Sequence, residues 1–175
     1  MLADTQSACF EETILPHLDA AYNLARWLLR NGPDAEDLVQ EACLRAWKSF
    51  AGFRGGDGRS WLLTIVRNTC YTWLRENQRQ GLALEFNEDL HSEDVKVPEA
   101  ERLLAESSSR ETLEKALQEL PTEFREAIVL RELEGLSYKE ISEIASVPVG
   151  TVMSRLARAR ARLEICLSPQ MRKDA

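Results

Sequence analysis

Apolar residues recur at three- and four-residue steps along most of the 175-residue chain, and no segment alternates as a β-strand would. The predicted helices cover residues 10–29, 34–50, 59–79, 111–120 and 122–135. Pro16 is expected to kink the first of them. The apolar positions, among them Trp47, Leu113 and Leu133, are predicted to face a core. We therefore expect an all-α protein.

The clearest local signal is a helix-turn-helix in residues 136–163. Ser137 and Glu140 have the spacing of a capping box, which predicts the start of a short helix directly after the serine. Pro148 disfavours helix at the residue before it, so this first helix must end shortly before the proline. A second helix can follow at once, because proline is tolerated at a first helical position.

The second helix of this motif has one apolar face and one polar, cationic face. The residues predicted to pack inward are Val152, Leu156, Ala159 and Leu163. The residues predicted to point outward are Thr151, Ser154, Arg155, Arg158 and Arg162. No acidic residue lies between Val149 and Leu163, so this face suits insertion into a major groove. The alternative is an amphipathic helix whose arginines only contact solvent.

A glycine-rich loop with two aromatic side chains and two arginines occupies residues 50–59. A phosphate-binding P-loop would need glycine at position 57 and lysine at position 58. The chain has Asp57 and Gly58 there, so the loop lacks the P-loop spacing. The next helix interleaves aromatic and basic residues, with one side formed by Arg67, Asn68, Tyr71, Arg75 and Arg79. Such a side suits single-stranded nucleic acid, since bases stack on rings and arginines bind the backbone. The alternative is core aromatic residues beside ordinary surface arginines.

The net charge of −7 is concentrated in the middle of the chain, where residues 84–110 hold 8 acidic and 3 basic side chains. We predict an acidic linker over residues 83–109, with a nucleic-acid mimic as the alternative.

A second polar surface is predicted on the helix over 34–50. Without a partner, this surface would simply be solvated. It carries Asp37, Gln40, Glu41 and Arg45.

Several classes of protein are excluded or disfavoured. The four cysteines are widely separated and the chain has two histidines, so no metal site and no cofactor are predicted. Cys43 and Cys70 are expected to be small core residues. No nucleophile with a base and no paired carboxylates can be assembled, which argues against an enzyme. The chain has no signal-like leader and no apolar run approaching the ~20 residues of a membrane span, so we expect a cytoplasmic protein.

Several short motifs occur in a fixed order on either side of the linker. They are Asp34-Ala35-Glu36-Asp37-Leu38-Val39-Gln40-Glu41, Trp61-Leu62, Arg67-Asn68, Leu120-Pro121, Pro148-Val149-Gly150-Thr151-Val152, Ser154-Arg155-Leu156 and Arg158-Ala159-Arg160. Together they resemble the bacterial RNA polymerase sigma factors of the extracytoplasmic-function (ECF) class. The resemblance implies a non-enzymatic, promoter-recognising subunit of RNA polymerase. It implies two helical domains, residues 8–82 and 110–168, on either side of the linker.

The resemblance also implies three sets of site residues. The set expected to bind the clamp helices of the largest catalytic subunit of core polymerase is Asp37, Gln40, Glu41 and Arg45. The set expected to bind the melted promoter element is Phe53, Arg54, Arg59, Trp61, Arg67, Asn68, Tyr71 and Arg75. The set expected to read the distal element as duplex DNA is Thr151, Met153, Ser154, Arg155, Arg158 and Arg162.

The long linker and the resemblance together predict an inhibitory anti-sigma factor that clamps the two domains. The alternative is a stand-alone regulator that binds duplex DNA as a dimer, with residues 10–80 as a sensing or dimerisation module. The chain departs from the family pattern at four positions: Thr72, Glu76, Ser146 and Met153. Family members often carry an acid at the first, a basic residue at the second and fourth, and glycine at the third. The promoter preference is therefore not predicted.

Overall fold

The computed structural model describes the backbone of residues 2–80 and 102–171, and the side chains of residues 5–80 and 109–168. Those residues form helices and connecting turns, without a strand, which confirms the all-α prediction. The α-helices are α1 (Leu2–Ile14), α2 (Leu18–Leu29), α3 (Gly32–Ser49), α4 (Gly58–Arg79), α5 (Arg102–Glu119), α6 (Thr122–Ile128), α7 (Tyr138–Ala145) and α8 (Val149–Met171). A π-helical turn, Val129–Leu133, continues α6.

Helices α1 to α4 form the N-terminal domain. A 3₁₀ turn, Leu15–His17, separates α1 from α2 at Pro16, so the predicted kink is confirmed. Arg30 ends α2 in the left-handed conformation, with φ 59°, and Pro33 lies in the first turn of α3. The fully buried apolar residues of this domain include Ala21, Leu24, Ala25, Leu62, Leu63 and Val66.

The start of α4 is fixed by a cap and by a close helix crossing. The Asp57 carboxylate accepts hydrogen bonds from the backbone N–H groups of Arg59 (3.0 Å) and Ser60 (3.2 Å). A Cβ atom added to Gly58 would lie 2.6 Å from the carbonyl oxygen of Thr13 in α1. Glycine is therefore required where α4 passes α1.

Helices α5 to α8 form the C-terminal domain. Arg125, in α6, is 1% exposed and donates hydrogen bonds to the carbonyls of Gln118 (2.9 Å) and Leu120 (3.0 Å) at the end of α5. These bonds satisfy carbonyls that a helix end leaves unpaired, and they hold α5 against α6. Burial and the nearby Arg30 charge lower the pKa of Arg125 to about 10, so the guanidinium stays charged at neutral pH.

The two domains pack directly against each other. α2 contacts α6 and α4 contacts α7, and one continuous cluster of buried apolar residues spans the two domains. Arg26 in α2 pairs with Glu114 in α5 at 3.2 Å. Nη2 of Arg30 donates to the carbonyl of Leu120 at 3.4 Å. The sequence predicted two domains and a linker but not this contact between them.

The structure corrects several local predictions. Helix α5 begins at Arg102, whereas the helical spacing predicted a helix only from residue 111; residues 81–101, which make up most of the predicted linker, lie outside the described part of the chain. Trp47, Leu113 and Leu133, which were predicted to face the core, are exposed. Cys70 is fully buried as predicted, and Cys43 is half-buried. Among the described helices, none combines the length and apolarity that crossing a bilayer requires.

Candidate nucleic-acid interface

The helix-turn-helix predicted from the sequence is formed by α7 and α8. Ser137 Oγ accepts a hydrogen bond from the N–H of Glu140 (3.2 Å), and the Glu140 carboxylate accepts one from the N–H of Ser137 (2.7 Å). The predicted capping box is therefore present. Ser146 ends α7 in the left-handed conformation, with φ 54°. The carbonyl of Pro148 then accepts a hydrogen bond from the N–H of Thr151 (2.9 Å) in the first turn of α8.

α8 packs one face into the C-terminal domain and leaves most of the opposite face open. Val152, Leu156 and Ala159 are at most 1% exposed. The outward residues, exposed or half-buried, are Thr151, Met153, Ser154, Arg158 and Arg162. The guanidinium of Arg162 lies over the Phe124 ring, 5.3 Å from its centroid, in a cation–π contact. Thr151, Ser154, Arg158 and Arg162 lie where the helical spacing predicted them, and the exposed Met153 lies beside them.

Arg155 does not point outward as predicted. Its side chain is 15% exposed and turns toward α6. Its guanidinium lies 3.4 Å from the Glu123 carboxylate and 4.0 Å from the Glu126 carboxylate. The buried Glu126 attracts an arginine that helical spacing alone would assign to solvent, because a buried carboxylate needs cationic partners.

The loop between α3 and α4 is organised by aromatic rings. Phe50 stacks on Phe53 with ring centroids 5.6 Å apart, and Phe53 lies 5.0 Å from Trp61 in α4. Phe10 of α1 contacts Phe50 edge-on at 5.2 Å. Such ring contacts contribute about 0.5–1.5 kcal/mol each beyond their burial, so they fix the loop on the domain. Arg54 stays exposed at the loop tip.

An open cavity of about 430 Å³ lies between this loop and α7. Phe53, Arg54 and Trp61 line one side of it, and Glu140 and Glu143 of the C-terminal domain line the other. Phe53 and Trp61, two of the residues expected to bind the melted promoter element, thus lie beside the acidic side chains of α7.

Arg59, at the start of α4, is held by the C-terminal domain. Its Nη2 donates to the carbonyl of Glu134 at 2.6 Å and to the carboxylate of Glu134 at 2.7 Å. Glu134 follows the π-helical turn after α6, and its side chain is 8% exposed. The arginine predicted to contact melted DNA is therefore paired across the domain interface.

Arg67 and Tyr71, one helical turn apart on α4, bind the Glu126 carboxylate from α6. Arg67 Nε donates to Oε1 at 2.5 Å, and the Tyr71 hydroxyl donates to Oε2 at 3.1 Å. The Arg67 guanidinium also lies 4.3 Å from the centroid of the Tyr71 ring. Asn68 and Arg75 on the same helix stay exposed. The structure therefore divides the predicted basic side of α4 into a covered part and an open part.

Burial dominates the electrostatics of this cluster. It raises the pKa of the Glu126 carboxyl, and the charge and hydrogen bonds of Arg67 and Tyr71 act in the opposite direction. Burial and the Glu126 charge raise the pKa of the Tyr71 hydroxyl, so it remains a donor at neutral pH. The same two causes raise the pKa of the neighbouring Cys70 thiol to about 12, which makes this cysteine inert.

The predicted polymerase-binding residues lie on the exposed side of α3. They are Asp37, Gln40, Glu41 and Arg45. Arg45 and Glu41 form an ion pair one turn apart. Leu44, between them, is 61% exposed, and Trp47 is exposed beside it. The side therefore combines charged and apolar residues, which is typical of protein interfaces.

Sequence reasoning missed Leu44, Glu126 and Glu134. Leu44 carries a weak signal, because it is a large apolar residue outside the stripe formed by Leu38, Ala42 and Ala46. Glu126 lies between the apolar positions Phe124 and Ala127 of α6, but nothing local shows that it is buried. Glu134 has no signal in the sequence, because its partner lies 75 residues away.

A helix-turn-helix on one domain and an aromatic, basic helix on the other define a helical DNA-binding protein. Residues 13–80 match the family model described as Sigma-70 region 2, and residues 110–163 match the one described as Sigma-70, region 4. The ECF sigma factor SigE of Mycolicibacterium smegmatis is 35% identical over 166 residues, which cover 95% of this chain and 64% of that protein. The ECF sigma-E factor of Haemophilus influenzae is 38% identical over 157 residues, covering 85% of this chain and 81% of that protein.

Solved structures give the same result. The sigma factor RpoE of Bartonella quintana, solved with the anti-sigma factor NepR, is 31% identical with a TM-score of 0.72, covering 91% of this chain and 96% of that one. CnrH, solved with the cytosolic domain of CnrY, is 25% identical with a TM-score of 0.63, covering 95% and 94%. The chain belongs to the ECF family of RNA polymerase sigma factors. It is a transcription initiation factor and not an enzyme, and the prediction of a sigma factor is confirmed.

Proposed function

We propose that this chain directs initiation at particular promoters through three surfaces: one for core polymerase, one for melted DNA and one for duplex DNA. The observation that carries the proposal is that the aromatic, basic helix α4 and the helix-turn-helix of α8 lie in the segments that match sigma regions 2 and 4. We assign the first two surfaces to a domain over residues 8–82 and the third to a domain over residues 110–168. Residues 83–109 connect the two.

The core polymerase surface is the exposed side of α3. The polar part of it consists of Asp37, Gln40, Glu41 and Arg45. Leu44 adds exposed apolar area at its centre, where a partner helix would remove it from water. We expect the clamp helices of the largest catalytic subunit to bind here. The four polar residues would then set the register, while Leu44 and Trp47 would supply apolar contact.

The surface for the melted element is formed by the aromatic loop and α4. Its residues are Phe53, Arg54, Arg59, Trp61, Arg67, Asn68, Tyr71 and Arg75. Extruding a base costs a few kcal/mol. Stacking on an aromatic side chain offsets about 1–3 kcal/mol per base, so the Phe53–Trp61 pair beside the open cavity is suited to hold one.

The surface for the distal element is the outer face of α8. Its residues are Thr151, Met153, Ser154, Arg155, Arg158 and Arg162. Arg158 and Arg162 are exposed and can reach phosphates or guanine edges, whereas Met153 offers an apolar contact to a thymine methyl group. Arg155 can join them by leaving the exposed Glu123 carboxylate.

We further propose that an anti-sigma factor controls this protein and that it acts in the cytoplasm. The RpoE and CnrH structures each contain a second chain, which the RpoE structure identifies as an anti-sigma factor. An inhibitor of this kind would be recognised by co-purification with the full chain. It should block transcription when it is added before core polymerase.

The test of the three surfaces is transcription by purified core polymerase from a panel of native promoters, with and without this protein. We expect start-site-specific transcripts only when the protein is present. Three double variants should each reduce transcription at least about tenfold, because single DNA or interface contacts contribute about 1–3 kcal/mol. The variants are Asp37→Ala/Gln40→Ala, Arg67→Ala/Asn68→Ala and Arg155→Ala/Arg158→Ala.

Two matched controls accompany these variants. Glu36→Ala removes an exposed charge from α3, and Lys115→Ala removes one from α5, in each case outside the proposed surfaces. Both should transcribe like the wild type. Unaffected transcription in the α3 variant, together with normal folding, would refute the assignment of the core polymerase surface.

A further inference from the structure

We propose that the free protein is self-inhibited in a closed arrangement, in which the two domains pack together. In this arrangement Glu126 and Glu134 of the C-terminal domain bind the arginines of α4 that are assigned to melted DNA. The two carboxylates take the place of phosphate groups on α4. This inference rests on the proposed function for its assignment of Arg59, Arg67 and Tyr71 to the melted strand. It adds that these residues become available only when the two domains separate.

Glu126 is the centre of the closed arrangement. Its side chain is 1% exposed and is bound by Arg67 at 2.5 Å and Tyr71 at 3.1 Å from the N-terminal domain. Arg155 from α8 approaches the same carboxylate to 4.0 Å. One buried acid therefore holds side chains from each of the two helices proposed to contact DNA. A buried charge needs several such partners to offset its loss of water.

Glu134 forms a second contact at the other end of the covered part of α4. Its carbonyl and carboxylate both accept from Arg59, at 2.6 Å and 2.7 Å. Nδ2 of Asn23 in α2 donates to the same carboxylate at 3.4 Å. Two separate acids of the C-terminal domain thus bind basic residues two helical turns apart on α4, so the domain covers the part of this surface that carries Arg59 and Arg67.

The aromatic loop is also screened in the closed arrangement. Glu140 and Glu143 of α7 line the cavity opposite Phe53 and Arg54. A DNA strand approaching the loop would meet these carboxylates, which repel its phosphates. The acidic residues of α7 therefore oppose strand binding in the same way as Glu126 and Glu134.

The surfaces that stay open suggest an order of events. The α3 side around Leu44 and the α8 face around Arg158 remain exposed while the domains are closed. Core polymerase can therefore bind α3 before the α4 surface is released. Because carboxylate and phosphate compete for the same donors, the affinity of the free protein for single strands is reduced by the fraction of molecules that are open.

The experiment compares the free full-length wild type with Glu126→Gln/Glu134→Gln, which removes the two charges and keeps the side-chain shapes. Small-angle X-ray scattering gives the radius of gyration, and fluorescence anisotropy gives the affinity for a labelled single-stranded DNA of mixed sequence. We expect the double variant to be more extended and to bind the strand about fivefold more tightly or better. Circular dichroism checks that the helices remain folded.

Two further variants sharpen the result. Glu132→Gln removes a carboxylate that pairs with Arg160 within the C-terminal domain at 2.6 Å, so it should leave shape and affinity unchanged. Glu134→Gln alone leaves the buried Glu126 intact and should give a smaller shift in the same direction. A double variant that stays as compact as the wild type, or opens without gaining affinity, overturns the inference.

Failure of the proposed function gives a different result. If the double variant opens and gains affinity for single strands, the inference stands. If core polymerase with the wild type then makes no promoter-specific transcripts, the assignment of a transcriptional role fails independently. The two conclusions are therefore tested by separate measurements on the same proteins.

Discussion

α4 and α8 are the two long helices proposed to contact DNA, and the fold exposes their arginines to different extents. On α8, Arg158 and Arg162 lie at the surface of the C-terminal domain. On α4, Arg59 and Arg67 are paired with carboxylates from that domain. A cationic helix face is therefore not by itself an accessible one. In this arrangement the proposed duplex-binding surface is mostly open, whereas the proposed single-strand surface has Arg59, Arg67 and Tyr71 covered and Asn68 and Arg75 exposed.

The outward orientation of the arginines on α8 depends on how this helix is anchored, and Leu156 supplies the anchor. Leu156→Ala removes a side chain that is 1% exposed and should lower the free energy of unfolding by about 2–5 kcal/mol, because it leaves a cavity. Urea denaturation followed by circular dichroism measures this change. Met153→Ala, on the open face of the same helix, should stay within about 0.5 kcal/mol of the wild type. Equal losses in the two variants would show that α8 is not oriented as described.

The second prediction compares one arginine from each helix in the free protein. Arg67→Ala should lower the free energy of unfolding by about 1–3 kcal/mol, because it leaves the buried Glu126 without its closest cation. Arg158→Ala should have almost no effect, since its side chain is exposed. Thermal denaturation of the two variants checks this. An Arg67→Ala variant as stable as the wild type would mean that the ion pair between Arg67 and Glu126 does not hold the covered surface.

The third and smallest prediction concerns how α4 begins. Asp57→Ala should cost about 1 kcal/mol near neutral pH, because the cap of α4 is lost. Burial raises the pKa of Asp57, but hydrogen bonds from Ser60 and Arg59 outweigh it and hold the pKa below its usual value. The folded pKa is thus the lower one. The charge of Asp57 therefore stabilises the fold at pH values above the unfolded-state pKa of about 3.9. This contribution is lost as the pH falls through the pKa of the folded state.

The control for this prediction is Asp57→Asn, which keeps an oxygen that can accept from the N–H groups but does not titrate. Its stability should change less between pH 5 and pH 2 than that of the wild type. Acid titrations followed by circular dichroism measure the difference. The first turn of α8 contains no acidic residue, so no corresponding pH effect is expected there.

Much of the fold follows from local sequence. Helical spacing, Pro16, the capping box at Ser137 and the proline after α7 predict where most helices begin and end, because these signals act within a few residues. Ser146 is left-handed at the position where family members often carry glycine, the residue that adopts this conformation most readily. The polar sides of α3 and α8 are also found by spacing alone.

The accessibility of those sides was decided by the tertiary structure. Helical periodicity separates an apolar from a polar face, but it does not show that a polar face is covered by a distant domain. Arg67 and Glu126 are 59 residues apart, and Arg59 and Glu134 are 75 apart. Long side chains can also turn toward a buried charge, as Arg155 does. The sequence by itself therefore determined most of the helices, the helix-turn-helix and the family. Only the packing of the two domains decided which basic residues are free for DNA, because burial and charge pairing depend on non-local contacts.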